Sequence, residues 1–375
     1  MIDVVAVSNR RTRRDFVEVP ARIYKNDPHF VARLTLEMMD HTSAKNPYFA
    51  HAVHQLFVAY ENGKPVGRMS AQIDELAQRE GEGIVGHFGF LDAARPEIVP
   101  HLFASAEAWL KARGATRMAG PYSFSTNDES GLLVEGFDAA PYLLMNHAPA
   151  WMGDAVEAQG YARAKDLLAF HMDTATPFPG AAKRLAEQAP MIDGFAVRSL
   201  APSRLREELG SMLTIYNEAW QDNWGFIAMT PAETHYMAHN LKPLLVADLA
   251  RIASIHGAPA GMIMALPNLM EVIHDLKGRL LPLGWLKLLY RLKLRGPRST
   301  RVMLMGIRPQ FRQGVMGAAL SAKLIYDIRE ACLKRKIRWV EMSWILDDNT
   351  PMIRLIEAVG GQCYKRYRLY EKVVA

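Results

Sequence analysis

Hydrophobic and polar positions alternate in short runs that stop at glycine- and proline-marked turns, and stretches of helical period lie between them. HQLFVAY at 54–60 leads into GKPVG at 63–67, and RIASI at 251–255 leads into GAPAG at 257–261. Apolar runs around a Gly-x-Pro-x-Gly turn predict a β-hairpin at each place. In the second half the pattern predicts helices over 203–220 and 231–241, then strands near 249–255 and 259–266. Strand 300–307, helix 315–335, strand 337–345, helix 350–359 and strand 362–373 follow.

The two hairpins lie 194 residues apart and are one of three ordered self-matches. AEAWLKARGATRM at 106–118 resembles REACLKRKIRWVE at 329–341, an offset of 223, and EAQG at 157–160 resembles EAVG at 357–360, an offset of 200. An internal duplication is the simplest reading. The changes in offset place one insertion in each half, near 120–146 in the first and near 268–299 in the second. Insertions on a duplicated scaffold are where function tends to diverge.

With 375 residues, half of them hydrophobic, the chain is long enough for two domains and excludes general disorder. Cys332 and Cys363 are the only cysteines, so no disulfide framework or cysteine metal cluster is expected, and the cytosol suits such a chain. The N-terminus does not read as a signal peptide, and no apolar stretch is long enough to span a bilayer. The net charge of +6 is mild, so its location matters more than its size.

RVMLMGIRPQFRQGVMGAAL at 301–320 is an apolar strand, a glycine turn and the start of a helix. Exposed amides at a helix start bind phosphate oxygens, glycine lets backbone approach closely, and Arg308 and Arg312 add positive charge. This segment resembles the pyrophosphate loop of the GCN5-related N-acetyltransferase (GNAT) superfamily, Arg/Gln-x-x-Gly-x-Gly/Ala. Arg312 and Gly317 match its ends, and Val315 stands where a middle glycine is usual. Asn349, at the end of VEMSWILDDN, and the helix TPMIRLIEAVGG continue the likeness.

The resemblance implies an α/β (α+β) protein of two tandem GNAT-like acyltransferase folds, each a mixed central sheet flanked by helices. It implies a first domain at 1–173 without a coenzyme A loop, a linker at 174–194, and an acyl-CoA-binding domain at 195–375 carrying the insertion at 268–299. Acyl-CoA would be a co-substrate, with no permanently bound cofactor and no metal. The amides of Met305, Gly306 and Ile307 would hold the thioester carbonyl. Arg312, Gln313, Gly314, Val315, Met316, Gly317 and Ala318 would hold the pyrophosphate, and Asn349 the coenzyme A arm. The tyrosine acid that many members carry seven residues after the asparagine is replaced here by Ile356.

Proton chemistry must then come from elsewhere. In the first insertion, Thr126-Asn127-Asp128-Glu129-Ser130 is a polar knot in apolar surroundings. Glu129, then Asp128, are candidate bases facing the other half, and Asn127 a candidate ligand for the amine; turn chemistry is the competing reading. Glu341 and His147 are further candidates. His51-x-x-His54 lacks further ligands at metal spacing. Trp220 and Trp224, one helical turn apart, either line an apolar tunnel or belong to a core.

LKGRLLPLGWLKLLYRLKLRGPR at 276–298 has seven Lys/Arg and no acid. Lys287, Arg291 and Arg295 recur every four residues with Trp285 and leucines between them, the pattern of an interfacial basic helix. The stripe is too leucine-rich for nucleic acid. These features predict long-chain acyl transfer to an amphipathic amine by a cytoplasmic protein lying peripherally on the inner face of the cytoplasmic membrane. At whole-chain level STNDESGLLVEGFD and YNEAWQDNWGF resemble acyltransferase-like proteins of sphingolipid-making Gram-negative bacteria, which implies a sphingoid base as the acceptor. Acetyl transfer to a soluble amine or peptide, and a non-catalytic acyl-CoA or lipid binder, are the alternatives.

Overall fold

The computed structural model describes residues 1–374, and at positions 202, 205 and 206 the backbone alone. In chain order the elements begin β1 (Ile2–Ala6), α1 (Arg10–Ile23), α2 (Thr35–His41), β2 (Ala52–Glu61), β3 (Lys64–Asp74), β4 (Ile84–Ala93), α3 (Val99–Lys111), β5 (Ala115–Gly120), β6 (Leu132–Glu135) and α4 (Met152–Glu157). They continue β7 (Ala162–Asp173), α5 (Gly180–Gln188), β8 (Phe195–Ser199), α6 (Leu205–Trp220), α7 (Pro231–Leu241), β9 (Ala250–Ile255), β10 (Ala258–Pro267), α8 (Leu269–Ile273) and α9 (Gly284–Tyr290). Last come β11 (Ser299–Ile307), α10 (Gly314–Lys334), β12 (Trp339–Leu346), α11 (Thr350–Ala358) and β13 (Gln362–Val373).

The chain forms two compact units. The first comprises Met1–Leu167, Ile273–Leu288 and Lys365–Ala375, and the second Leu168–Val272 and Leu289–Tyr364. The units therefore interleave in sequence, where the sequence pattern suggests one boundary. The expected linker at 174–194 contains α5, which buries Ala182 and Ala186 and so packs as part of a core. The first unit's sheet runs β1-β2-β3-β4-β5-β13, with β6 also paired to β13. It needs the chain's last strand because β13 covers the free edge of β5, with Tyr370↔Gly120 through Val373↔Arg117 in register. The second unit's sheet runs β7-β12-β11-β10-β9-β8. One of its faces packs on α5, α10 and α11, and alternate residues of β9 and β10 point the other way, toward α6.

The duplication is visible in backbone detail. The hairpin turns fall at Asn62-Gly63 and His256-Gly257, both pairs at positive φ, which is the conformation of a tight type I′ turn. Each hairpin then slips by one residue at its Pro-x-Gly, between Ala59/Tyr60 opposite Pro65–Gly67 and at Pro259/Gly261. In each unit one strand pair is parallel and stops early: β4 with β5 at His87↔Ala119, and β11 with β12 at Val302↔Met342. Just past each long strand an amide returns 2.9 Å to the hairpin, Ala94 to the Val66 carbonyl and Arg308 to the Ala260 carbonyl.

The first unit fills the gap that its parting strands create. The Tyr122 amide donates to the Phe88 carbonyl at 2.6 Å. A Cβ on Gly89 would lie 1.7 Å from the Tyr122 carbonyl oxygen, so only glycine fits there. Buried Gln72 donates to the carbonyls of Tyr122 and Phe124 at 2.9 and 3.1 Å. The Phe124 ring packs against Phe90, Phe49 and Tyr48.

This apolar filling also encloses histidines. Burial pushes His41, His54 and His87 down to about 4, with Arg33 adding to the shift at His41 and Arg13 at His54. Below the ordinary histidine pKa the unfolded chain takes up protons that the folded unit refuses, so stability falls as pH drops from about 6.5 toward 4. Each histidine contributes a slope of about 1.4 kcal/mol per pH unit. We expect the melting temperature to fall steeply through this window and His54→Gln to flatten the fall, read by calorimetry from pH 7 to pH 4.

Candidate active site

In the second unit β11 pairs with β10 from Thr300↔Pro267 to Gly261↔Ile307, but with β12 only from Ser299↔Trp339 to Val302↔Met342. Beyond Val302 the side of β11 that faced β12 carries backbone groups outside any described strand pairing. A bulge between Met264 and Ala265 leaves Met303 as the extra residue and bends the strand where it parts company. The last parallel pairs include Arg301↔Glu341, whose side chains form a buried ion pair with Nε–Oε2 3.1 Å. Arg301 also lies over the Trp344 ring, 4.6 Å from its centroid. Glu341 is fully buried in the strand pair and held by this arginine, as Glu129 is held by Arg33.

On the other face, α6 closes onto the parted strand. The Trp220 indole N–H donates to the Met305 carbonyl at 3.2 Å. A Cβ on Gly306 would lie 2.9 Å from the Ala219 Cβ, so glycine permits this approach. Trp220 stacks edge-on with Tyr216, centroids 4.4 Å apart, and joins the core, whereas Trp224 is 42% exposed.

The glycine loop opens α10. Gln313 is its N-cap residue without a side-chain cap, Gly314 has φ +62, and no acid stands in the first turn. The leading amides of Gly314, Val315 and Met316 have no carbonyl partner inside the helix and carry the positive end of its dipole. Val315 is 68% exposed, so the first turn of the helix is open to solvent at this position. Arg312 makes a surface pair with Asp222 at 3.3 Å, weak enough to give way to a phosphate.

Three loop and helix residues have local duties. A Cβ on Gly317 would sit 2.1 Å from the Arg312 carbonyl oxygen, so this glycine lets the loop fold on itself, a tighter demand than ligand approach. Arg308 is clamped by Glu218 at 2.6 and 3.0 Å and donates to the Pro259 carbonyl, so its charge is spent on the fold. Asn349 caps α11, accepting from the Met352 amide at 3.2 Å. Ile356 is buried in the core.

The polar knot belongs to the first unit. Glu129 is buried and takes a hydrogen bond from Arg33 at 2.7 Å, while Arg33 also binds Glu37. These carboxylates hold the Arg33 guanidinium well above its ordinary pKa despite burial. The turn is tied by the Asn127 amide to Ser125 Oγ at 3.0 Å and the Asp128 amide to the Ser125 carbonyl at 3.2 Å. Asp128 is the more accessible carboxylate of the two. His147 Nε2 lies 2.8 Å from Asp27, and burial lowers the histidine's pKa. His51 binds Asp74 and His54 stacks on Phe49, so the two are engaged separately.

The second insertion departs from a uniform basic helix. α9 has seven residues and is followed by a π turn over Arg291–Arg295, which shifts the phase of a four-residue spacing. Lys287 pairs with Asp275 at 3.1 Å and Arg291 donates to the Val272 carbonyl at 2.6 Å, leaving Arg295 exposed. Leu281, Leu283, Trp285, Leu286, Leu289, Tyr290 and Leu294 are instead 44–78% exposed. Lys287, Lys293 and Arg295 are exposed among them, so the outward face mixes apolar and basic side chains.

A helix N-terminus poised for pyrophosphate beside a strand with an open backbone edge, on a duplicated mixed-sheet fold, defines the class: a tandem GNAT-fold, acyl-CoA-dependent N-acyltransferase. A tandem GNAT protein from the clavulanic acid biosynthesis pathway superposes with TM-score 0.61 at 15% identity, covering 100% of this chain and 99% of its own, a likeness of fold. No protein-family model matches the chain. Protein YghO of Escherichia coli (strain K12) is 42% identical over 98% of this chain and 94% of its own. Bacterial ceramide synthase of Caulobacter vibrioides (strain NA1000 / CB15N) is 41% identical over 100% of this chain and 98% of its own. The chain belongs to the family these two proteins share.

The cradle has a clean test. Gly317→Asp would break the loop's own backbone packing and so confounds folding with binding. Val315→Glu places a negative charge at an exposed first-turn position, where the helix dipole tolerates it and a pyrophosphate does not. We expect coenzyme A affinity to fall at least about tenfold (roughly 1.4 kcal/mol) with an unchanged melting temperature. Unchanged affinity in calorimetry would remove the pyrophosphate from this helix.

Proposed function

We propose that the protein transfers a long-chain acyl group from acyl-CoA to the primary amine of a sphingoid base. The observation that carries this reading is end-to-end identity of 41% with Bacterial ceramide synthase. The exposed leucine- and tryptophan-bearing segment at 281–294 supports it, because both substrates of such a reaction are amphipathic. In this reading the amides of Gly314, Val315 and Met316 hold the pyrophosphate, with Arg312, Gln313, Gly317 and Ala318 shaping the loop. The backbone amides of Met305, Gly306 and Ile307, beyond the pairing with β12, hold the thioester carbonyl and stabilise its developing negative charge. The deprotonated amine attacks the thioester carbon, the C–N bond forms as the C–S bond breaks, and the nitrogen's proton passes to the departing thiolate.

The ammonium must first lose a proton. We assign that step to the carboxylates at 128–129, with Asp128 the more accessible and Glu129 anchored by Arg33, and assign Asn127 to orienting the amine. The apolar segment would rest on the inner leaflet of the cytoplasmic membrane, entering by Leu281, Trp285 and Leu294 with little help from Lys287 and Arg291. No helix among the described residues is long and apolar enough to cross a membrane.

Release of free coenzyme A, with mass spectrometry of the amide, tests the reaction. Palmitoyl-CoA with a sphingoid base should exceed acetyl-CoA with a soluble amine by at least about a hundredfold in kcat/KM, and the reverse order sinks the proposal. Asp128→Asn and Glu129→Gln should each lower kcat at pH 7 by roughly 10²-fold, with partial recovery at high pH. A lowered melting temperature with normal kcat would reduce the pair to holding Arg33. Replacing Leu281, Trp285 and Leu294 by Ser should abolish co-sedimentation with phosphatidylglycerol-containing vesicles, while Lys287→Gln should leave it intact.

A further inference from the structure

The second unit has two cores of different composition. On the face of α10 and α11, methionine accounts for two of 23 buried residues in the cluster, Met172 and Met342. On the face of α6 it accounts for four of nine: Met212, Met229, Met262 and Met264. Met237 of α7 and Met303, the bulged residue of β11, pack against the same layer. Six of the chain's 20 methionines thus gather beneath one helix pair. Met305, Met316 and Met352 pack against the other cluster, so with partly buried residues counted on both faces the contrast is six of 16 against five of 35. Methionine has an unbranched, polarizable side chain that repacks around different shapes, a property of adaptable apolar binding surfaces and a liability in a core that must be unique.

Two further observations say what the adaptability serves. The layer reaches the parted strand, since Trp220 belongs to it and donates to the Met305 carbonyl. Its cover is shallow: α7 begins with a complete capping box at Thr230 and Glu233, yet none of its side chains is fully buried. A helix well formed in itself and poorly anchored beneath can shift as a body at small cost.

We propose that this methionine layer takes the hydrocarbon chain of the acyl donor, α7 moving outward to admit it, and that the methionines set the range of chain lengths accepted. This deepens the acyltransferase reading and rests on it for the identity of the ligand. The thioester carbon held at Met305–Ile307 places the first carbons of the chain beside Trp220 and Met303. The rest runs between α6 and β10, where Met212, Met262 and Met264 yield. The head group stays at α10, on the other side of the sheet edge, so binding of coenzyme A and binding of the chain are separable.

The test uses the whole protein labelled with methyl-¹³C methionine. Palmitoyl-CoA, added without amine, should shift the methyl resonances of Met212 and Met264, whereas coenzyme A or acetyl-CoA at saturation should leave them in place. Saturation by palmitoyl-CoA with these methyls unmoved overturns the proposal. In turnover, Met264→Phe should lower the palmitoyl-to-octanoyl ratio of kcat/KM at least tenfold while octanoyl transfer stays within about threefold of normal. A parallel loss at all chain lengths, or a change in preference for the length of the amine instead, removes the donor chain from this layer. Because Phe adds bulk to a packed layer, the volume-conserving pair Met212→Leu and Met264→Leu provides a second reading, with a chain-length profile at least threefold narrower and an unchanged melting temperature. If no acyl-CoA is turned over with any amine, the acyltransfer reading fails by itself, and the methyl shifts still decide whether the layer binds the chain.

Discussion

Arg301 and Glu341 face each other across β11 and β12, both almost completely buried, and one residue later the two strands separate. Loss of one partner from such a pair strands a charge in the interior at a cost of about 3–5 kcal/mol, so its position in the register is strongly defended. Strand pairing is cooperative along a ladder, and two strands that begin parallel would ordinarily stay together. Here the pair holds the register where pairing exists, and the Met303 bulge turns β11 away immediately afterwards. Everything that makes the second unit a candidate site follows from that divergence: an open backbone edge, room for α6 to approach at Gly306, and a direct path from the edge to the first turn of α10.

The two units show what duplication preserved and what it released. Hairpin turns, the one-residue slip beyond them, the parting of a parallel pair and the amide returned to the hairpin recur in both. The use of the gap does not recur. The first unit seals it with Tyr122 and Phe124, and its α3 starts with Val99 and Pro100, both without a glycine turn before them. Proline at that position also removes one of the amides a phosphate would use. The second unit leaves the gap open and puts glycine and bare amides at the helix start.

Elements of the second half were legible because their signals are local. The glycine loop, the helix ends and the alternating strands depend on residues a few positions apart, and α6, α7, α10, α11 and β13 fall within two residues of the expected bounds. The roles of single side chains were less legible because they depend on distant partners. Arg308 looks like a phosphate ligand until Glu218, 90 residues earlier, is seen to hold it. Glu129 looks like an isolated carboxylate until Arg33, 96 residues earlier, is found beside it. The basic periodicity of the second insertion is present in the sequence, but its pairing with Asp275 and the phase shift at the π turn are set by the fold. The methionine layer left a faint trace in composition alone, because its members come from α6, a loop, β10 and β11.

β13 completes the first unit's sheet although more than 240 residues separate it from β5. The edge of β5 therefore emerges from the ribosome uncovered, and it waits through the translation of about 240 further residues for its partner. Buried Lys365, which donates to the carbonyls of Gly136 and Ala139, closes the same unit from the same late segment. A chain interrupted anywhere before β13 therefore leaves the first unit's sheet without the partner of β5.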